Sequence, residues 1–179
     1  MKRFIIADTH FGDKSIITME PARQQFISSN EMDDFIISKW NHSVSEEDTV
    51  YVIGDFILSS DREYIFSILE RLNGKIILVK GNHDQPSLNI LKLKPEKVEI
   101  VEYPIILDEF WMLSHYPMYI SEAMPYANIF GHVHGNPMYN TVSSRSFCAC
   151  VERTNFEPVD FEEIKKRVLD VERRHYERD

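Results

Sequence analysis

Cysteine is scarce in this chain: Cys148 and Cys150 stand alone among 179 residues. No disulfide framework is needed. Their C-x-C spacing reads as two small side chains on one face of a strand, in a reducing compartment. Long apolar runs are missing as well. None approaches the roughly 18 consecutive residues that span a bilayer. Lys2 and Arg3 precede only Phe4–Ala7 before Asp8 interrupts, too short a run for a secretory signal. A cytoplasmic protein without a membrane partner is the expectation. Basic residues are outnumbered, 20 Lys and Arg against 29 Asp and Glu, giving a formal net charge of −9 and a pI of about 5.3. That balance argues against a broad basic face gripping nucleic acid, since phosphate neutralisation dominates such binding. It leaves phosphate chemistry open, because bound cations supply local positive charge. Repeats, low-complexity tracts and linkers are also missing.

Bulky core material is present: Phe 11, Tyr 8 and Trp 2. The length fits a single domain over residues 1–179, which buries about 70% of its unfolded surface. Short runs rich in β-branched and aromatic residues predict buried strands at Phe4–Ala7, Thr49–Ile53, Lys75–Val79, Ile105–Leu107, Phe110–Leu113, Asn128–Phe130 and Phe147–Val151. Helical patterns fall between several of them. Ser29 or Asn30 is expected to cap a helix carrying Phe35, Ile36 and Trp40. Ser60 or Asp61 starts another, ended by Asn73-Gly74. A charged helix over residues 161–177 carries Ile164, Val168 and Val171 on one stripe. Leu107-Asp108-Glu109-Phe110 reads as a hairpin connection. Strand–helix alternation succeeded by strands alone predicts an α/β sandwich with a mixed sheet.

The chemistry gathers where strands end. Phe4–Ala7 runs into Asp8-Thr9-His10, Val50–Ile53 into Gly54-Asp55, and Ile76–Val79 into Gly81-Asn82-His83-Asp84. Trp111–Leu113 leads to Ser114-His115, and Ile129-Phe130 to Gly131-His132-Val133-His134. Five of the 7 histidines occupy these positions; His42 and His175 lie in polar helical contexts and read as surface residues. Open α/β sheets place ligands at the carboxyl ends of their strands. Asp8, His10, Asp55, Asn82, His115, His132 and His134 therefore predict one convergent site. Seven side chains are too many for one ion and suit two, since a carboxylate can bridge ions about 3.5–4 Å apart. Mixed nitrogen and oxygen donors favour Mn, Fe, Zn, Co or Ni over Ca or Mg. Gly54, Gly81 and Gly131 suit sharp turns and close backbone approach.

In this order, D-x-H, G-D, G-N-H-D, H and G-H-x-H resemble the calcineurin-like metallophosphoesterase superfamily. The motifs run from Asp8 to His134. Closer similarity to its small bacterial and phage-type phosphoesterases rests on Asp8-Thr9-His10-Phe11-Gly12, Glu31-Met32 ahead of Trp40-Asn41, Asp48-Thr49-Val50-Tyr51, and Gly54-Asp55-Phe56. The resemblance implies two mixed β-sheets flanked by α-helices. It implies that Asp8, His10 and His134 hold one ion, that Asn82, His115 and His132 hold the other, and that Asp55 bridges them. His83 would face the substrate, oriented by the Asp84 carboxylate. Asp13 stands where close relatives often carry histidine, and Arg23 matches only loosely a phosphate-binding segment of such relatives. Gly54-Asp55 continues Phe56-Ile57 without an arginine, and the later motif ends in Asp84, which separates the chain from the protein Ser/Thr phosphatase branch.

The implied activity is hydrolysis of a phosphate ester by a water that two divalent cations make nucleophilic, manganese being favoured, with His83 assisting the leaving group. A small phosphodiester is the expected substrate, by analogy with small relatives. A nucleotide phosphomonoesterase, an exonuclease subunit and a non-catalytic interaction module are the alternatives. The acidic balance argues against an autonomous nuclease or a tight nucleic-acid partner. Oligomeric state is not legible.

Overall fold

The computed structural model describes residues 1–121, 123–140 and 143–176, the last six as backbone alone. The chain runs β1 (Arg3–Ile6), α1 (Ser15–Met19), α2 (Ser29–Ser43), β2 (Thr49–Ile53), α3 (Arg62–Arg71), β3 (Lys75–Val79), α4 (Gln85–Leu91), β4 (Val98–Val101), β5 (Ile105–Leu107), β6 (Trp111–Ser114), β7 (Ala127–Phe130), β8 (Ser146–Cys148), β9 (Val159–Asp160) and α5 (Phe161–Tyr176). One sheet has the order β4-β3-β2-β1-β9, the other β5-β6-β7-β8. Each is parallel except for one antiparallel edge pairing, β1 with β9 and β5 with β6. Two mixed sheets flanked by helices are what the resemblance implied.

The period of two along each strand sorts side chains between two cores. Phe4 and Ile6, Val50 and Val52, and Ile76 and Leu78 join Met32, Ile36 and Trp40 of α2 and Ile65, Ile68 and Leu69 of α3. Their alternates Ile5 and Ala7, Tyr51 and Ile53, and Val79 pack against Trp111, Leu113, Ala127 and Ile129 of the second sheet and against Ile164 and Val168 of α5. Both faces of β1–β3 are therefore covered, which is why those strands read as continuous apolar runs. In-register parallel pairing of Phe4 with Val50 and of Val50 with Ile76 aligns the strand ends, and with them the motifs just beyond.

Several boundaries differ from the sequence reading. The cap of α2 is Ser28, whose side chain accepts the Glu31 N–H, because the helix needs an extended residue ahead of its first turn and Ser28 has φ −154°. Asp61 caps α3 through the Glu63 and Tyr64 amides. That helix ends at Arg71 with Leu72 already extended, so Gly74 (φ +79°) serves the turn into β3 instead of a helix cap. Motif residues around it spend their polar atoms on turns: Trp40 Nε1 donates to Asn73 O, and Asp48 accepts the Lys2 and Ser45 amides. Asp108 and Glu109 both take positive φ in the three-residue connection between β5 and β6, which Phe110 N closes on Leu107 O before the strands pair at Leu107 and Trp111. The strand expected at Phe147–Val151 stops at Cys148, because beyond it the chain crosses to the first sheet: Ala7 N donates to Ala149 O and Val151 N to Ala7 O. The Cys148 thiol donates to Cys150 Sγ at 3.2 Å, so the pair does share a face. The elements α1, α4 and β9 carry too few residues to show a period, and β4 is a half-exposed edge strand interrupted by Glu99. The side chains of Val171 and His175 and the whole of Glu177 lie outside what is described, and His42 is exposed. Among the described residues no helix is long and apolar enough to cross a membrane.

Candidate metal centre

Asp8, Asp55 and Asn82 leave the carboxyl ends of β1, β2 and β3, while His115 and His132 leave β6 and β7 of the facing sheet. The crossing at Ala7–Val151 brings the two sets of ends together. Five of the seven candidate ligands take left-handed backbone conformations: Asp8 (φ +59°), His10 (+53°), Asp55 (+52°), His132 (+69°) and His134 (+47°). Asp and His tolerate that region better than most residues, yet each instance stores on the order of 1–3 kcal/mol. The conformations are enforced by hydrogen bonds between loops, Asp8 N to Gly54 O and His10 N to Asp55 O, both 3.0 Å.

Two clusters result. Ligand atoms of Asp8, His10 and His134 lie within 4.8 Å of one another, as do those of Asp55, His115 and His132. Asp55 joins them, because its Oδ2 lies 3.6 Å from His10 Nε2 and 3.5 Å from His115 Nε2. Asn82 falls beside the second cluster, its Oδ1 2.7 Å from His115 Nε2. Each carboxylate commits one oxygen to a backbone amide. Asp8 Oδ2 accepts from His132 N and Asp55 Oδ1 from His83 N, both at 2.8 Å, leaving the other oxygen for the cluster. Space is tight: a Cβ on Gly81 would sit 2.3 Å from Asp55 Oδ1, and one on Gly131 2.6 Å from Asp8 Oδ2.

The imidazoles are oriented from outside. Nδ1 of His10 faces Asp13 Oδ2 at 3.1 Å, that of His115 faces Ile53 O at 3.1 Å, and that of His134 faces Glu152 Oε1 at 3.0 Å. Such partners fix the tautomer and leave Nε2 for a metal. Burial raises the Asp8 carboxyl to about 7, helped by the Asp55 charge and opposed by His134. Burial also lowers His10 and His132, favouring neutral, ligating imidazoles. Asp8 Oδ1 and His10 Nε2 are buried without a hydrogen-bond partner. Unsatisfied buried polar atoms are costly, and a divalent cation would satisfy both while relieving the carboxylate repulsion. The donor set fits a pair of such ions.

One sequence reading changes here. Asp84 does not orient His83. Its carboxylate is fully buried and accepts the backbone N–H groups of Asp55 (3.0 Å), Phe56 (2.7 Å) and Gly81 (2.7 Å), which clamps the G-D loop to the G-N-H-D loop. His83 is exposed and outside both clusters, its ring centroid 5.9 Å from that of His10. Arg23 is no phosphate ligand: fully buried, it donates to Asp8 O (2.5 Å), Thr9 O (3.0 Å) and Glu152 Oε1 (2.6 Å). Asp13 supports His10, an outer-shell contact in place of the histidine common in relatives. Sequence reasoning missed Glu152, which no local pattern marks. Burial would raise its pKa, but the His134 hydrogen bond and the Arg23 charge hold it down at about 2.

Comparison with known proteins agrees with this geometry. An uncharacterized protein of Methanocaldococcus jannaschii is 33% identical over 175 residues, covering 93% of this chain and 91% of its own. The crystal structure of an Aquifex aeolicus protein of unknown function superposes with a TM-score of 0.69 at 27% identity, over 92% of this chain and 98% of that one. A Pseudomonas putida nuclease shares the fold at TM-score 0.51 and 19% identity, over 74% of this chain and 61% of that one. The family model for calcineurin-like phosphoesterases matches residues 1–177. Matched across nearly its whole length, the chain belongs to the calcineurin-like phosphoesterase family, whose chemistry is metal-dependent hydrolysis of phosphate esters.

Proposed function

We propose that this chain hydrolyses small phosphodiesters with two divalent cations, manganese in preference to iron, zinc, nickel or cobalt. Asp8, His10 and His134 would hold one ion, Asn82, His115 and His132 the other, with Asp55 shared. The observation that carries the reading is the Asp55 carboxylate oxygen midway between His10 Nε2 and His115 Nε2, at 3.6 and 3.5 Å. Bound there, the cations would acidify a water and neutralise charge developing on the phosphoryl oxygens. The chain's own contributions surround that step. Asp13, Glu152 and the Ile53 carbonyl keep three imidazoles in the ligating tautomer. Asp84 holds the loops that carry Asp55 and Asn82. His83, positioned through its backbone N–H on Asp55 and open to solvent, gives a ring N–H proton to the leaving oxygen.

Two observations support a diester. Arg23 is committed to Glu152 and backbone carbonyls, so its charge does not serve the second negative charge of a monoester dianion. The Pseudomonas putida neighbour is named a nuclease, an enzyme of diester bonds. The net charge of −9 speaks for a small substrate over a tightly held nucleic acid, and cysteine usage for a cytoplasmic setting. The test compares bis(4-nitrophenyl) phosphate with 4-nitrophenyl phosphate on manganese-loaded protein. A higher kcat/KM on the diester, abolished by chelation and restored by manganese, is expected. A monoester preference overturns the diester assignment, and no hydrolysis of either ester with two ions bound overturns the enzyme reading.

A further inference from the structure

We propose that Tyr116 is a specificity residue, an aromatic platform for a flat ring carried by the phosphoester; the inference rests on the phosphoester reading above. Tyr116 directly succeeds His115 in the chain. Its ring packs edge-on against His115 (centroids 5.0 Å, 68°) and against His132 (4.6 Å, 63°), two members of one ligand cluster. Yet the residue is 52% exposed. A tyrosine not needed for ligation thus leaves half its surface open at the edge of the metal cluster. Aromatic rings gain from offset or edge contact at centroid separations of about 4.5–7 Å. A flat ring carried by an ester bound at this cluster would have the open part of Tyr116 as its aromatic neighbour.

The platform is held by a buried polar network. β7 is fully buried, and its one polar member is Asn128, 1% exposed. A buried amide is costly unless all its groups are bonded. Asn128 Nδ2 donates to Ser114 Oγ at 2.8 Å and to Met112 O at 3.1 Å, and Asn128 Oδ1 accepts the Met118 N–H at 2.8 Å. The Ser114 hydroxyl in turn donates to Tyr116 O at 2.7 Å. Two of these bonds end on the backbone of residues 116 and 118, on either side of Pro117, and none ends on a candidate metal ligand. The network therefore fixes the segment that presents Tyr116. Ordering the ring in advance lowers the entropy that a ligand must overcome on stacking.

The test is calorimetric binding of three probes to manganese-loaded protein: phenylphosphonate, its saturated analogue cyclohexylphosphonate, and thymidine 5′-monophosphate. Wild type should bind phenylphosphonate more tightly than cyclohexylphosphonate. Tyr116→Ala should weaken one or both aromatic probes by about 3- to 10-fold and leave cyclohexylphosphonate within about twofold. Tyr116→Phe, which keeps the ring, should match wild type. Loss confined to thymidine monophosphate assigns nucleotide esters; loss with both aromatic probes assigns aromatic esters in general; loss confined to phenylphosphonate assigns small aryl esters. Equal weakening of all three probes, no weakening of either aromatic probe, or a Tyr116→Phe loss as large as that of alanine overturns the platform. Failure of every probe to bind protein that carries two ions and hydrolyses bis(4-nitrophenyl) phosphate overturns the platform alone; failure of binding and of hydrolysis together overturns the phosphoester reading, and the inference with it.

Discussion

Glu152 Oε1 lies 3.0 Å from His134 Nδ1 and 2.6 Å from Arg23 Nε, so one buried carboxylate oxygen joins a candidate metal ligand to a buried guanidinium. Arg23 continues to the carbonyls of Asp8 and Thr9. His134 is thereby oriented from the loop that carries Asp8, and the first cluster is built as a unit.

Glu152→Gln keeps the shape but removes the charge that fixes the His134 tautomer. Losing such an outer partner typically costs 10–100-fold in metal affinity. Manganese titration should show one of the two ions weakened by about that factor. Two unchanged dissociation constants would contradict the role given to Glu152.

Asp55→Asn removes the charge shared by the clusters. Metal content by elemental analysis should fall below two ions per chain, and activity with it. A variant that retains both ions with wild-type affinity would show that Asp55 does not bridge.

His83→Ala should leave both ions bound, since His83 belongs to neither cluster. Its kcat should fall by about 10²–10⁴-fold on an alkyl ester, the usual contribution of a general acid. A nitrophenyl ester, whose leaving group needs little protonation, should suffer less. His132→Ala should instead lose metal. Equal slowing of both esters by His83→Ala would assign that residue to substrate clamping.

Asp84→Ala strips the partner from three backbone N–H groups. At about 1–3 kcal/mol per unsatisfied donor, urea unfolding should reveal a loss of about 3 kcal/mol or more. A near-neutral result would mean that water replaces the clamp.

Chelation should lower the Tm, because ions that bind only the folded state contribute about 2.7 kcal/mol at 100-fold above Kd. The effect should depend on pH. Burial raises Asp8 to about 7 in the folded, metal-free chain, against an ordinary value of 3.8. Between those values the folded state holds a proton that the unfolded state has released, so this group's contribution to metal-free stability falls as pH rises from about 4 to about 7. Cations need the ionised carboxylate, so the Tm difference between loaded and stripped protein should widen over the same window. Thermal melts at pH 5 and pH 7.5 decide it, and a constant difference would count against Asp8 as a ligand.

The sequence by itself determined which chemistry-bearing residues the chain has and where along it they fall. Buried parallel strands announce themselves as apolar runs, and the polar residue just past the end of each run is readable without a structure: Asp8, Asp55, Asn82, His115, His132. The pairing of strands into two sheets was legible only in outline, because β9 has two residues and β4 is a half-exposed edge strand interrupted by Glu99. Tertiary structure alone decided how the site is held. Arg23 meets Glu152 across 129 residues, and Asp84 reaches back 28 and 29 residues to the amides of Phe56 and Asp55. Contacts at such separations leave no local pattern, since any buried carboxylate could have served if the fold had brought it there. The left-handed conformations of Asp8, His10, Asp55, His132 and His134 belong to the same class. Local preference disfavours them, and only hydrogen bonds between loops from different strands impose them.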